Sequence, residues 1–294
     1  MSANQSKRII NRVETKLNAG PDQQVDNKNI VIVPKDPRLT DPFLMMAEDW
    51  FSEPGFEWHP HRGIETVTLV LDGVLEHGDN TGNAGALQSG DVQWMTAGKG
   101  IIHRELAFKN EHAHTLQLWV NLPSSKRMGN ARYQDVRANE RQPKEVAGAR
   151  VDVISGTVHG ASATTQNHWP INAALITLEP NTTLTVEVPA NHRAFAYAMD
   201  GEVNISGKPV REGQTAWSDP NGRGNEASSL TLTTGNGDAT SRVMLYSGQP
   251  VNEPIVFGGP FVMNSRAQIN QAINDYHAGK FGQIPRMNRL KRLG

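Results

Sequence analysis

Short apolar segments alternate with turn-forming residues over residues 30–245 of the chain. Val, Ile, Thr, Leu, Phe and Trp dominate the segments, whereas Gly, Pro, Asn and Asp separate them. Residues 65–71, with the sequence ETVTLVL, show the rough alternation and the β-branched side chains that are typical of a β-strand. Many short strands at a spacing of roughly 8–12 residues predict an all-β sandwich or barrel rather than a parallel α/β sheet.

The same signals predict strands in both halves of the chain. Gly73 is a turn signal that is expected to end the strand at residues 65–71. Residues 128–148 are polar and charged and lack apolar periodicity, so we predict a linker there and a boundary between domains 1–140 and 141–294. The other predicted strands are residues 74–77, 91–95, 116–122, 173–178, 184–188, 194–199 and 203–205.

One helix is predicted near the end of the chain, at residues 265–279. Its apolar side chains recur at helical spacing from Ile269 to Tyr276. Ser265 is a candidate N-cap, and Gly279 is a candidate stop signal. We therefore expect the second domain to end in a helix.

A weak internal repeat links the two halves. LDGVLEH, around Gly73, is followed by GDVQW, which starts at Gly90. MDGEVNI, around Gly201, is followed by GQTAW, which starts at Gly213. The recurrence of a hairpin and a Gly-x-x-x-Trp motif in the same order indicates that one β domain was duplicated. Closely spaced histidines precede only the first copy.

Composition excludes several classes of function. The chain has 294 residues, with 29 Lys and Arg against 30 Asp and Glu, so no global basic field exists to attract nucleic acid or anionic lipid. There is no cysteine, which excludes disulfides, thiolate nucleophiles and metal sites built on sulfur. No signal peptide and no apolar run of about 18 residues is found, so we expect a soluble, cytoplasmic protein. The basic residues 286–292 are expected to form a solvated end.

Two pairs of polar residues are candidates for metal binding. His59 and His61 stand at positions i and i+2, and so do His103 and Glu105, so each pair shares one face of an extended strand. On neighbouring strands, three imidazoles and one carboxylate can hold an ion and leave positions open for catalysis.

Glu65 competes with Glu105 for the carboxylate position. Its even offset from His61 places it on the ligand face of a regular strand, but a bulge at Gly63 would reverse that parity. The spacing leaves both carboxylates open. The remaining histidines are interpreted as structural or surface residues: His77, His112, His114, His159, His168, His192 and His277.

Four stretches of the chain resemble the pirin family of bicupins. They are HPHRGIETVTLVLDGVLEHGDNTGN from His59, GDVQWMTAGKGIIHRE ending at Glu105, DPFLMMAEDWF from Asp41 and GPFVMNS from Gly259. The resemblance covers nearly the whole chain. It implies two cupin barrels, of the double-stranded β-helix type, which pack face to face and are closed by the C-terminal helix.

The resemblance also implies a metal, usually Fe(II) with another divalent transition metal as the alternative, in the N-terminal domain. When Gly201 is aligned with Gly73, Glu187 takes the position of His59 and Pro189 that of His61. The C-terminal domain is therefore expected to lack a metal site. Glu65 is then left as a residue behind the ligands or in the cavity. By motif position, the implied metal ligands are His59, His61, His103 and Glu105.

Several bacterial pirins are similar to quercetin 2,3-dioxygenases, which open a flavonol ring with O2 and release carbon monoxide. The resemblance therefore implies a flavonol-like substrate and O2. From the balanced charge and the lack of a long apolar run, we expect no direct binding of nucleic acid or membrane. The implied catalytic residues are His61, a neutral ligand, and Glu105, an anionic ligand or the acceptor of the substrate's 3-hydroxyl proton. The alternative is a metal-dependent regulatory protein, since animal pirins are thought to be transcription cofactors whose iron oxidation state controls binding to a protein partner.

Neighbours of the candidate ligands are expected to support the site. Trp58, Trp94 and Met95 are expected to line or support the cavity, where core packing and substrate stacking are alternative roles. Arg62 and Arg104 alternate with the ligands, so they are expected to point away from the metal into ion pairs.

Overall fold

The computed structural model of the protein describes residues 6–52, 55–108, 111–224, 226–237 and 239–285, and the predicted basic end at residues 286–292 lies outside them. Strands make up most of the regular structure, which confirms the all-β prediction. No helix in the described part of the chain is both long and apolar enough to cross a bilayer. The helices are α1 (Ser124–Arg127), α2 (Arg266–His277) and two 3-10 turns, Pro37–Leu39 and Ala138–Glu140.

The strands are numbered in chain order. The strands before α1 are β1 (Ser6–Lys7), β2 (Arg12–Thr15), β3 (Leu17–Asn18), β4 (Asn27–Ile32), β5 (Phe43–Phe51), β6 (Phe56–His61), β7 (Ile64–Asp79), β8 (Ala84–Gln88), β9 (Val92–Thr96), β10 (Ile101–Ala107) and β11 (Ala113–Asn121). The strands after it are β12 (Arg132–Val136), β13 (Lys144–Val146), β14 (Ala149–Ser155), β15 (Thr157–Val158), β16 (Ala161–Ser162), β17 (Ile171–Leu178), β18 (Thr183–Pro189), β19 (Arg193–Asp200), β20 (Glu202–Ile205), β21 (Lys208–Arg211), β22 (Gln214–Ser218), β23 (Ala227–Thr233), β24 (Ser241–Gly248), β25 (Val256–Gly258) and β26 (Phe261–Met263).

The chain forms two compact units, and each unit combines two separate stretches. The N-terminal barrel consists of Leu17–Ala138 and the described residues from Val251 onward. The C-terminal barrel consists of Asn139–Pro250 and the described residues up to Lys16. The chain therefore crosses between units next to the expected boundary at residue 140, but both ends join the unit that a linear division does not assign to them. Strand pairing holds the first end in place, because β1 pairs with β23 and β2 pairs with β22.

In the N-terminal barrel, the main sheet has the order β12-β9-β7-β11-β5-β4-β3. The first part of β7 pairs with β9 and β11, and its last part pairs with β8 and β10. β10 also pairs with β6. This pairing places side by side the two strands that carry the predicted ligand pairs. β12 lies within the predicted linker and pairs with β9, so that segment completes the barrel.

Gly73 lies inside β7, and the prediction that it ends a strand is wrong. It has a φ of +78°, which an L side chain rarely adopts. A Cβ at this position would lie 1.9 Å from the carbonyl oxygen of His112. Glycine thus lets β7 continue past a close approach of the neighbouring backbone and change its pairing partners.

The C-terminal barrel has an aliphatic interior. Its sheets have the orders β13-β14-β17-β24-β19-β22-β2 and β1-β23-β20-β21, with β18 paired to β23. Along β18 the side chains alternate, so Val186 and Val188 are buried while Glu187 is exposed. Glu187 takes the position of His59 when the two halves of the chain are aligned, but its side chain points out of the barrel. The interior cluster includes Leu184, Val186, Val188, Ala194, Ala196, Val203, Ile205, Leu230, Leu232, Val243 and Leu245.

The predicted C-terminal helix is confirmed as α2. The Ser265 side chain caps it by accepting a hydrogen bond from the Gln268 amide at 3.2 Å, and Gly279 follows the helix with a φ of +71°. Ile269 and Ala272 are buried in an apolar cluster that includes residues of β26. The helix and the two short strands before it therefore belong to the core of the N-terminal barrel.

Candidate metal site

Three histidines converge on the face shared by β6 and β10. The Cα atoms of His103 and His59 are direct partners across the antiparallel pair, and Ile101 is the partner of His61. His59, His61 and His103 therefore project to one side, as the sequence spacing predicts. Each offers a ring nitrogen, and these nitrogens all lie within 4.8 Å of one another. No other group of three His, Asp or Glu residues with this proximity occurs in the part of the chain that the structure describes.

Backbone carbonyls orient two of the rings. The Nδ1 atom of His59 lies 2.7 Å from the Glu57 oxygen, and the Nδ1 atom of His61 lies 3.1 Å from the Pro260 oxygen. Because a carbonyl can only accept, both Nδ1 atoms carry the proton, and the Nε2 lone pairs are left available. This is the arrangement in which the distal nitrogen of an imidazole binds a metal.

Unsatisfied nitrogens show that the cluster fits a metal ion. The Nε2 atom of His61 and both ring nitrogens of His103 are buried without a hydrogen-bond partner. Buried polar atoms are normally paired, so three such atoms in two adjacent rings require an explanation. A cation bound to His61 Nε2 and to one nitrogen of His103 would satisfy two of these three atoms, and together with His59 the residues could hold a metal ion.

Burial keeps the imidazoles in the form that binds metal. It lowers the pKa of His61 to about 3, with a further lowering by nearby His59. Burial also holds the pKa of His103 well below its ordinary value of 6.5, and the neighbouring histidines lower it further. Both rings are therefore neutral at physiological pH. His59, in contrast, is only half-buried.

The backbone around the histidine pair is held by the end of the chain. Val262 donates its amide proton to the Arg62 oxygen at 3.1 Å, and the Arg62 guanidinium pairs with Asp275 at 2.9 Å. Gly63 has a φ of +84°, and a Cβ there would lie 2.1 Å from the Val262 oxygen. Residues 251–285 thus fix both the backbone that follows His61 and the carbonyl that orients its ring.

Both arginines beside the ligands form ion pairs, as predicted. Arg62 pairs with Asp275, and Arg104 pairs with Glu76 at 2.9 Å. Arg104 also lies over the ring of Trp58, 5.2 Å from its centroid. These contacts keep the two cations on the side of their strands away from the histidine nitrogens.

Glu105 lies on the same strand face as His103 but outside the group of close ligand atoms. A register shift between the two residues makes Phe56 the partner of Glu105 in β6, where a regular ladder would place Glu57. The residue is 2% exposed. Its Oε1 accepts from the Thr68 hydroxyl at 3.0 Å, and its Oε2 accepts from Gln117 Nε2 at 2.8 Å. The structure therefore gives Glu105 two protein partners beside the histidine cluster.

Glu65 belongs to a different environment. It is fully buried and accepts hydrogen bonds from Trp94 Nε1 at 3.0 Å and from Thr96 Oγ1 at 2.6 Å. Burial raises the pKa of its carboxyl group, and these two donors partly offset the rise. Along β7 it stands three positions from Thr68, which contacts Glu105, so Glu65 faces the opposite side of the strand. It satisfies the buried side-chain donors of Trp94 and Thr96 on β9.

Sequence reasoning missed the residues that surround the ligands. Thr68 and Gln117 bind Glu105, Pro260 orients His61, and the ring of Trp119 packs edge-on to that of His61 with centroids 5.2 Å apart. One signal was available for Gln117, since it is a polar residue within the apolar run LQLWVNL. The GPFVMNS stretch contains Pro260, but no feature of the sequence links it to a histidine.

Comparison with known proteins gives consistent matches over both barrels. Residues 33–120 match the family described as Pirin, and residues 173–282 match the Pirin C-terminal cupin domain. Pirin-like protein 2 of Arabidopsis thaliana is 38% identical over 288 residues, which cover 94% of this chain and 86% of the relative. Pirin of Homo sapiens is 36% identical over 253 residues, which cover 82% and 83%. A crystal structure of quercetin 2,3-dioxygenase from Acinetobacter baumannii has a TM-score of 0.82 at 29% identity and covers 95% of this chain and 100% of that one.

Proposed function

Because the chain belongs to the pirin family, we propose that it is a metal-dependent dioxygenase that opens the ring of flavonols such as quercetin with O2. The similarity to a quercetin 2,3-dioxygenase over the whole length of that structure supports this reaction. The expected products are the ring-opened ester and carbon monoxide.

The proposal rests on the cluster of three imidazoles. Three ring nitrogens within 4.8 Å, of which those of His61 and His103 are buried and unsatisfied, make a nitrogen site for one transition-metal ion. His59, His61 and His103 would hold the ion, which we propose to be Fe(II), with another divalent transition metal as the alternative. When bound, the metal supplies a positive charge that favours the deprotonated enol of the substrate and makes electron transfer to O2 accessible.

Glu105 is proposed to act at the substrate's 3-hydroxyl or as the fourth ligand. Each of its carboxylate oxygens accepts one hydrogen bond from the protein, so each retains a lone pair. One of them can take the hydroxyl proton in the reaction, which is the ordinary role of a general base. We propose that a flat flavonol enters from the side of His59, which is only half-buried.

Oxygen uptake and carbon monoxide release with quercetin test the proposal. Protein reconstituted with Fe(II) is compared with His61→Ala and with His112→Ala, an exposed histidine of the same barrel that pairs with Asp72. We expect His61→Ala to lose at least about 100-fold in rate, since loss of a ligand costs no less than loss of a group that orients one. His112→Ala is expected to match the unchanged protein.

Two results would oppose the proposal in different ways. Equal rates for His61→Ala and the unchanged protein would remove the metal from the mechanism. A loaded protein that does not turn over quercetin, but captures a protein partner in one iron oxidation state only, would favour the regulatory alternative.

A further inference from the structure

We infer that Gln117 is a positioning residue which, together with Thr68 and Trp119, fixes the orientation of the Glu105 carboxylate beside the three histidines. The inference rests on the proposed function, because it assigns to Glu105 a role at the metal. It adds a residue that contacts neither metal nor substrate and acts through another side chain.

The donors and acceptors of this network allow only one arrangement. The indole Nε1 of Trp119 can only donate, and it lies 3.3 Å from the Gln117 Oε1 atom. The amide oxygen of Gln117 must therefore face the indole, which turns its Nε2 atom toward the carboxylate. That nitrogen donates to Glu105 Oε2 at 2.8 Å and to Thr68 Oγ1 at 3.0 Å. The Thr68 hydroxyl then has its single proton left for Glu105 Oε1, at 3.0 Å.

The three supporting residues stand on two paired strands. Thr68 in β7 and Gln117 in β11 are direct Cα partners, and Trp119 lies two positions further along the same face of β11. The Trp119 ring also packs edge-on against His61, at an interplanar angle of 82°. One tryptophan therefore contacts a histidine of the cluster and determines the direction of the amide that holds Glu105. Strands position such groups more rigidly than loops do.

Without this network the carboxylate would be free to rotate. The Thr68 hydroxyl holds one Glu105 oxygen and the Gln117 amide holds the other. Together they fix one orientation of the carboxylate plane relative to His103, which lies on the same strand face. Removing the Gln117 amide deprives one oxygen of its donor and also takes a donor from Thr68. Loss of partners that orient metal ligands costs roughly 10–100-fold in metal affinity or activity.

Cobalt(II) binding to the metal-free protein tests the inference without relying on turnover. Affinity is measured by calorimetric titration, and the visible d–d bands report changes in the ligand set. We expect Gln117→Leu to weaken cobalt(II) binding about 10-fold or more and to shift the bands. Gln214→Leu, on β22 of the C-terminal barrel, is the matched control and is expected to leave both readouts unchanged.

Thr68→Val is a second variant that guards against misfolding, because it removes one hydroxyl at nearly constant volume. It is expected to shift the bands in the same direction as Gln117→Leu. Thr68→Ser restores the hydroxyl and should recover most of the lost affinity. Thermal unfolding of each metal-free variant shows whether a change in affinity reflects a loss of folded protein.

A double-mutant cycle separates positioning from general structural support. If Gln117 acts through Glu105, adding Gln117→Leu to Glu105→Gln produces little further loss of cobalt(II) affinity. Fully additive losses would overturn the inference, as would an unchanged affinity and spectrum in Gln117→Leu when Glu105→Gln alters both. An unchanged spectrum and affinity in Glu105→Gln would instead refute Glu105 as the fourth ligand, and the inference with it.

Discussion

The two barrels differ in the character of one buried cluster of side chains. The N-terminal barrel buries His61, His103 and Glu105 together with the hydroxyl of Thr68. The C-terminal barrel places leucine, valine, isoleucine and alanine side chains in its interior. Burying polar groups costs free energy unless they are paired, so the unsatisfied imidazoles of the N-terminal barrel are candidates for holding an ion. The aliphatic interior shows that the fold itself does not need them, and that function depends on residues placed on a common framework.

The framework itself is similar in both barrels. Gly90 and Gly213 both have positive φ, of +88° and +78°, and each precedes a strand that contains a fully buried tryptophan. Trp94 donates to Glu65, and Trp217 donates to Thr215 at 3.2 Å. These shared features support duplication of one β domain, after which only one copy carries a histidine cluster among the described residues.

The largest expected effect is on metal binding. We expect His103→Ala to weaken Fe(II) or cobalt(II) binding by more than about 100-fold, because it removes one of the three converging imidazoles. His192→Ala, a buried histidine of the C-terminal barrel, should leave metal binding unchanged. Metal content after equilibrium dialysis measures both. Greater loss in His192→Ala than in His103→Ala would reverse the comparison.

The next effect concerns the cost of a charge in the aliphatic interior. Val186→Glu buries an unpartnered carboxylate in the C-terminal barrel, and we expect the free energy of unfolding to fall by about 3–5 kcal/mol. Thr185→Glu, on the adjacent exposed position of β18, should change it by no more than about 0.5 kcal/mol. Urea unfolding measures both variants. Equal losses of unfolding free energy in the two variants would show that water reaches position 186 inside this barrel.

A smaller effect concerns acid sensitivity in the C-terminal barrel. Burial, assisted by nearby Arg8, lowers the pKa of His192 to about 4. In the unfolded chain the His192 imidazole takes up a proton below about pH 6.5, whereas in the folded chain it stays neutral down to about pH 4. The resulting stability is complete above pH 6.5 and is lost as the pH falls toward 4, by up to about 3 kcal/mol. His192→Gln should reduce the dependence of the free energy of unfolding on pH over this window. An unchanged dependence would contradict the assignment of this acid sensitivity to His192.

The smallest effect concerns the segment that holds the histidine pair in the N-terminal barrel. Hydrogen bonds from Lys280, Arg62 and Gln271 hold the pKa of Asp275 well below its ordinary value. The stability from these bonds is therefore present above the unfolded pKa of about 3.9 and is lost at lower pH. We expect Asp275→Asn to lower the melting temperature at pH 7. The difference in melting temperature between the variant and the unchanged protein should become smaller in strong acid. A constant difference across the pH range would contradict this account.

The histidine cluster could be predicted because its signal is local. His59 and His61 occupy alternate positions of one strand, as do His103 and Glu105 of another. The two-residue period of a β-strand determines which side chains share a face. Helix α2 was predictable for the same reason, since Ser265 and Gly279 mark its ends within one short segment. In both cases the relevant residues lie within a few positions of one another.

The surroundings of the cluster depend on contacts that are distant in sequence. The Gln117 and Thr68 contacts connect different strands, and the Pro260 carbonyl reaches His61 from the far end of the chain. No spacing rule relates such residues. The continuation of β7 through Gly73 was also hidden, because a glycine with positive φ gives the same sequence signal in a turn and in a bent strand.

Anomalous diffraction from crystals of the iron-loaded protein, recorded at the iron absorption edge, shows whether the three histidines hold the ion. We predict one strong peak per chain among the rings of His59, His61 and His103, and no peak inside the C-terminal barrel. A peak in the aliphatic barrel, or three histidine rings turned away from a peak elsewhere, would contradict it.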